Sequence, residues 1–82
     1  MDETERTSRA HDLDVTVWVG KNGIESVVDE LNDQLADNDL VKVKFLRAAR
    51  GGTDTEELAT ELAEGVNAKI HDTRGHTAVL YR

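Results

Sequence analysis

Residues 15–35 read Val15-Thr16-Val17-Trp18-Val19-Gly20-Lys21-Asn22-Gly23-Ile24-Glu25-Ser26-Val27-Val28-Asp29-Glu30-Leu31-Asn32-Asp33-Gln34-Leu35, and their hydrophobic period changes partway along. Val15, Val17 and Val19 alternate with Thr16 and Trp18, the period of two that marks a strand with two distinct faces. Beyond Gly20-Lys21-Asn22-Gly23, the residues Ile24, Val27, Val28, Leu31 and Leu35 recur at helical spacing and form one apolar stripe. Asn22 is placed to cap this helix, which should fade at Asp37-Asn38-Asp39.

The same reading extends outward. Leu40–Arg47 is a second strand, with Val41, Val43 and Phe45 on one face and Lys42 and Lys44 on the other. Ala48-Ala49-Arg50-Gly51-Gly52 is a flexible loop. Thr53 with Glu56, or Asp54 with Glu57, has capping-box spacing and starts a second helix. Leu58, Leu62 and Ala63 form its buried stripe, and Gly65 is placed to end it in a left-handed conformation. Val66–Asp72 and Thr77–Tyr81 read as two more strands joined in a hairpin by Thr73-Arg74-Gly75-His76. The order is β-α-β-α-β-β. Two amphipathic helices need an apolar surface, so the expected architecture is a two-layer α/β sandwich, with both helices on one face of a four-stranded sheet. The other face is then left uncovered, with Thr16, Trp18, Lys42 and Lys44 pointing into it. Residues 1–9 lack periodicity and read as a poorly ordered N-terminus, apart from a single turn around Arg9–Leu13. Residues 10–82 make one domain.

Composition sets limits on function. An 82-residue chain builds one modest core. It has no cysteine, which excludes disulfides and thiolate metal sites. It has no apolar run long enough to span a membrane, and its acidic first residues do not read as a secretory signal. The expectation is a soluble cytoplasmic monomer with no membrane role and no cofactor. No nucleophile, base and orienting group fall together, so the chain does not read as an enzyme. His71 and His76, with Asp72 nearby, read as polar hairpin residues rather than a metal site.

The net charge of −7 counts against a nucleic-acid partner, but the charges are segregated. Lys42, Lys44, Arg47 and Arg50 fall between Leu40 and Gly52 with no acid among them. Acids crowd the two helices instead. The Gly20-Lys21-Asn22-Gly23 turn lets backbone approach a phosphate, and it opens a helix whose first amides are unpaired. Its plainer reading is turn geometry. The basic strand reads either as a phosphate-tracking patch or as a solvated edge. Trp18 either stacks on a base or packs under the turn at Ala10–Leu13.

Together these residues resemble the CRM domain (chloroplast RNA splicing and ribosome maturation), most closely its small single-domain YhbY-like branch. The stretches that match are Ala10-His11 with Leu13, Val19–Gly23, Leu40–Lys44, Glu57-Leu58-Ala59 through Leu62-Ala63, and Gly75 with Val79-Leu80-Tyr81-Arg82. The resemblance implies a fold like the C-terminal domain of bacterial translation initiation factor 3. That fold has a mixed sheet in the order 1-2-4-3, with strand 4 antiparallel to the rest. It also implies a non-catalytic RNA-binding protein with the glycine turn at the RNA surface. Such a protein is associated with ribosomal RNA or with large ribosomal subunit precursors during maturation. Candidate RNA contacts are Gly20, Lys21, Asn22, Gly23, Lys42, Lys44, Arg47, Arg50, Trp18 and Arg74. The alternative is a protein-interaction module that docks through its acidic helices. A small-ligand domain is the third reading, set aside because the core is small for a pocket.

Two features depart from the family pattern: the N-terminal helix is reduced to a turn, and the chain is acidic. Glu25, Asp29, Asp33 and Asp37 are spaced by four along the first helix, and Glu57 and Glu61 repeat the spacing on the second. Like charges at that spacing repel, and concentrated salt screens them. The expectation is an origin in a halophilic archaeon.

Overall fold

The computed structural model describes residues 2–82. The elements run α1 (Glu3–Asp12), β1 (Val15–Val19), α2 (Val28–Asp37), β2 (Val41–Phe45), α3 (Thr55–Gly65), β3 (Lys69–Arg74) and β4 (Thr77–Tyr81). Short 3-10 helices at Ile24–Val27 and Arg47–Ala49 come after the first two strands. The sheet order is β1-β2-β4-β3, with β1 parallel to β2 and β4 antiparallel to both its neighbours. This is the mixed sheet that the resemblance implied.

α2 and α3 pack on one face of the sheet. Val17, Val19, Val41, Val43, Phe45 and Leu80 meet Leu31 and Leu62 there, all essentially free of solvent. Burying a side chain of this size contributes about 1.5–3 kcal/mol. This layer is the core, and it matches the predicted stripes closely.

Residues 3–9 correct the expectation of disorder, while Met1 lies outside the described residues. The α1 helix is local in origin. The Asp2 carboxylate accepts from the Glu5 amide at 2.8 Å, and Arg9 pairs with Glu5 one turn back at 3.1 Å. Acids occupy its first turn and Arg9 and His11 its last, which suits the helix dipole. No residue of α1 is buried, so the helix carries no apolar stripe for a periodicity reading to find.

α1 lies on the sheet face opposite α2 and α3, a third helix added to the expected sheet with two helices on one face. The Arg6 guanidinium sits 4.3 Å from the centre of the Tyr81 ring, and Arg9 reaches Asp39 at 3.4 Å. Val79, on this face, is buried. Part of the sheet therefore has helix on both sides.

The ends of several elements also differ from expectation. Asn22 does not cap a helix: Gly23 occupies that position ahead of the 3-10 turn, and α2 begins at Val28. Thr16 is an extra residue in β1, since Val15 pairs with Lys42 and Val17 with Val43. This bulge places Val15 on the Lys42 face and lets the Thr16 hydroxyl donate to Gln34 on α2. Gly65 closes α3 as a helical residue, and the left-handed position falls to Asn67, with φ of 55°. The Ala68 amide then donates to the Ala63 carbonyl and the Asn67 amide to that of Glu64, a Schellman ending. β3 starts at Lys69 rather than Val66. The hairpin loop is only Gly75-His76, with Gly75 at φ of 58°.

Candidate nucleic-acid interface

β1 and β2 are parallel, so the chain leaves both strands at the same end of the sheet. β4 runs the other way and starts there. The loops at 20–23, 46–52 and 75–76 therefore converge on one end, and backbone hydrogen bonds hold them. The Leu46 amide donates to the Val19 carbonyl and the Phe45 amide to the His76 carbonyl, both at 2.8 Å. None of these three loops contains an acid.

The glycine turn is closed by the Gly23 amide, which donates to the Gly20 carbonyl at 3.0 Å. Gly23 needs its φ of 81°, a region that costs other residues about 1–3 kcal/mol. Lys21 and Asn22 are exposed at the tip. A four-residue 3-10 helix stands behind the turn, in place of the α-helix expected there. The dipole of α2 is thus set back from Gly23. The turn offers exposed backbone and the charge of Lys21.

One row of side chains crosses the whole sheet just below these loops. Trp18 pairs with Lys44, Lys44 with Thr77, and Thr77 with Arg74. Residues directly opposite on neighbouring strands share a face. Strands lie ~4.8 Å apart, so the row spans ~15 Å. Trp18 is 53% exposed, which counts against full burial under the N-terminal segment. Lys44 beside it and Arg74 at the far end of the row are both exposed.

Two of the expected contacts stand apart. Arg50 is half-buried, and its Nε donates to the Phe45 carbonyl at 3.0 Å, so it braces the loop from within. Lys42 is one row lower, opposite Val79, and half-buried. It lines a polar groove of about 310 Å³ between α1 and the sheet, with His11, His71, Asp72 and Arg74. Arg47 is exposed on its 3-10 turn at the loop end. The structure thus brings Gly20–Gly23, Trp18, Lys44, Arg47 and Arg74 to one end, sets Lys42 one row lower beside Arg74, and turns Arg50 inward within the loop.

Leu46 belongs to this end too, and sequence reading passed over it. It is 39% exposed and its backbone is still extended. It therefore shares the Lys44 face, by the alternation that Lys44-Phe45-Leu46 already carries. Its Cδ1 lies 3.9 Å from where a Gly20 side chain would begin. The acids are elsewhere: Glu25, Asp29, Asp33 and Asp37, with Glu57, Glu61 and Glu64, are exposed on or beside the helices of the other layer. Among the described residues no cluster of His, Asp or Glu is arranged to hold a metal ion.

The fold and this end of the sheet define a small α/β domain with acid-free loops and exposed cations at one end of the sheet and rows of acids on α2 and α3. The chain belongs to the CRS1/YhbY (CRM) domain family, whose model matches residues 2–82. It is 40% identical over 75 residues to a Methanocaldococcus jannaschii protein named Probable RNA-binding protein MJ0652, a match covering 92% of this chain and 56% of that protein. The chain thus spans little more than half the length of that relative. It is 30% identical over 76 residues to Probable RNA-binding protein YqeI of Bacillus subtilis, covering 92% of this chain and 77% of that one. The solution structure of the hypothetical protein SAV1595 from Staphylococcus aureus superposes with a TM-score of 0.77 at 30% identity. That match covers 98% of this chain and 82% of the other.

Proposed function

We propose that this chain is a non-catalytic RNA-binding protein that acts on ribosomal RNA or on precursors of the large ribosomal subunit during maturation. The observation that carries this reading is the row Trp18, Lys44, Thr77 and Arg74, capped by three loops without an acid. Lys21, Lys44, Arg47 and Arg74 meet phosphates, and the Gly20–Gly23 backbone lies against the chain of the RNA. The acidic helices face away and leave the cationic end as the surface that attracts a polyanion. Two relatives that carry RNA-binding names support the reading. The ribosomal target rests on the family resemblance.

Sedimentation of the tagged protein from a lysate kept at native salt, with and without ribonuclease, tests it. Ribonuclease-sensitive migration with the large subunit or its precursors is the expected result. Migration at the top of the gradient in both samples overturns the ribosomal target. Co-migration with a protein that survives ribonuclease favours docking through the acidic faces of α2 and α3.

A further inference from the structure

We propose that Trp18 and Leu46 form an apolar ledge for an unpaired base, so that the RNA this site takes is single-stranded. The inference rests on the RNA-binding reading and names its substrate class.

Trp18 and Leu46 are the large hydrophobic side chains left exposed among the described residues. They are diagonal across the β1–β2 pair: Trp18 is opposite Lys44, and Leu46 follows two residues beyond Lys44, a spacing within reach of an aromatic side chain. Gly20, two residues beyond Trp18, presents no side chain there, and a Cβ at its position would lie 3.9 Å from Leu46 Cδ1. The result is a bare apolar shelf edged by Lys44 and the Gly20–Gly23 turn. Two side chains make too small a patch for a stable protein interface, which buries about 1,600 Å² around a hydrophobic centre. A nucleobase is an object of the right size. Its flat face stacks on indole, while the phosphates flanking it reach Lys44 and Lys21.

A duplex cannot use this shelf. Its base faces are covered by their neighbours, and an A-form helix presents backbone and 2′-hydroxyls instead. An unpaired base gains the stacking contact that a paired one is denied. Stacking is short-ranged, whereas phosphate contacts weaken steeply with salt. Preference for single strands should therefore widen as salt rises.

The chain contains one tryptophan, so its intrinsic fluorescence reports on the ledge itself. The experiment titrates the full chain with a short mixed-sequence RNA oligonucleotide, alone and annealed to its complement, at low and molar potassium chloride. Expected are quenching of Trp18 by the single strand and at least about tenfold tighter binding of it than of the duplex. Trp18→Ala removes that preference and Trp18→Phe keeps most of it. Gly20→Leu fills the shelf while leaving Trp18 in place, and it too lowers single-strand affinity. Circular dichroism shows that the variants fold. Equal affinity for single strand and duplex, or a Trp18→Ala loss shared equally by both, overturns the ledge and leaves RNA binding standing. Failure of both RNAs to bind overturns the ledge and the RNA-binding reading together.

Discussion

The guanidinium Nε of Arg50 donates to the main-chain carbonyl of Phe45 at 3.0 Å, and this bond ties the 46–52 loop back to the strand it leaves. Arg50 is half-buried, while Lys44, two strand positions before the loop, is exposed. The two cations are close in sequence and differ in role. Hydrogen bonds from a charged group contribute about 1.5–3 kcal/mol when buried, and partial exposure reduces that. Arg50→Ala should lower unfolding free energy by about 1–2 kcal/mol in urea titration, with little loss of RNA affinity beyond what unfolding explains. Lys44→Ala should change stability by less than about 0.5 kcal/mol and weaken RNA binding. An Arg50→Ala protein as stable as the wild type would remove the bracing role.

The two glycines of the turn should behave differently. Gly23 has a left-handed φ of 81° with open space where a side chain would go. Its requirement is conformational alone: with ψ at 179° the backbone lies in a region open essentially to glycine, so Gly23→Ala should cost about 1–3 kcal/mol and Gly23→Asn a similar amount. Gly20 has ordinary backbone and a neighbour at 3.9 Å, so Gly20→Ala should leave the thermal midpoint within a few degrees of wild type. Thermal unfolding of the three variants checks the order, and a Gly20→Ala loss as large as that of Gly23→Ala would refute it.

Salt should stabilise this chain. Both ion pairs among the described residues belong to Arg9, and none lies on α2 or α3. The acids at four-residue spacing there repel with no ion pair among the described residues on those helices, by roughly 0.2–0.5 kcal/mol per pair in dilute salt. At molar ionic strength the screening length is ~3 Å. The midpoint should rise steadily from low to molar potassium chloride. A flat or falling midpoint would count against unscreened repulsion, and against the salt-adapted origin proposed from it.

α1 should open before the rest of the fold. It has no buried residue, and its docking relies on Arg6 over Tyr81, Thr7 beside His71 and the exposed Arg9–Asp39 pair. Its amides should exchange with solvent at much lower protection than those of β2 and β4, whose side chains form the core. Arg6→Ala should lower α1 protection further, since a cation over an aromatic ring contributes about 0.5–2 kcal/mol. Hydrogen exchange read residue by residue checks this, and α1 protection equal to that of β2 would contradict it.

The legible parts were those governed by local chemistry. Val17, Val19, Val43 and Phe45 declared their faces by alternation, and Leu31, Leu35, Leu58 and Leu62 declared theirs by helical spacing, because burial selects apolar residues at the period of each element. Thr53 and Asp54 were both visible as caps for α3, and the structure uses Asp54, whose carboxylate accepts from the Glu57 amide at 2.8 Å. α1 was not legible in this way. Its signals were Asp2 three residues before Glu5, and Glu5 four before Arg9, both weaker than an apolar stripe. Trp18 could be placed on a face but not given an exposure, since exposure depends on where α1 settles.

What the sequence by itself determined is the order of strands and helices from β1 to β4, the identity of the core and the separation of acidic from basic segments. These depend on residue type and spacing over a few turns. Tertiary structure alone decided that β1, β2 and β4 bring three acid-free loops to one end. It aligned Trp18, Lys44, Thr77 and Arg74, residues up to 59 positions apart, in a single row. It also turned Arg50 inward and left Leu46 bare beside Gly20. The physical reason is that strand pairing and register are long-range choices, made by the packing of the whole sheet, and no local pattern carries them.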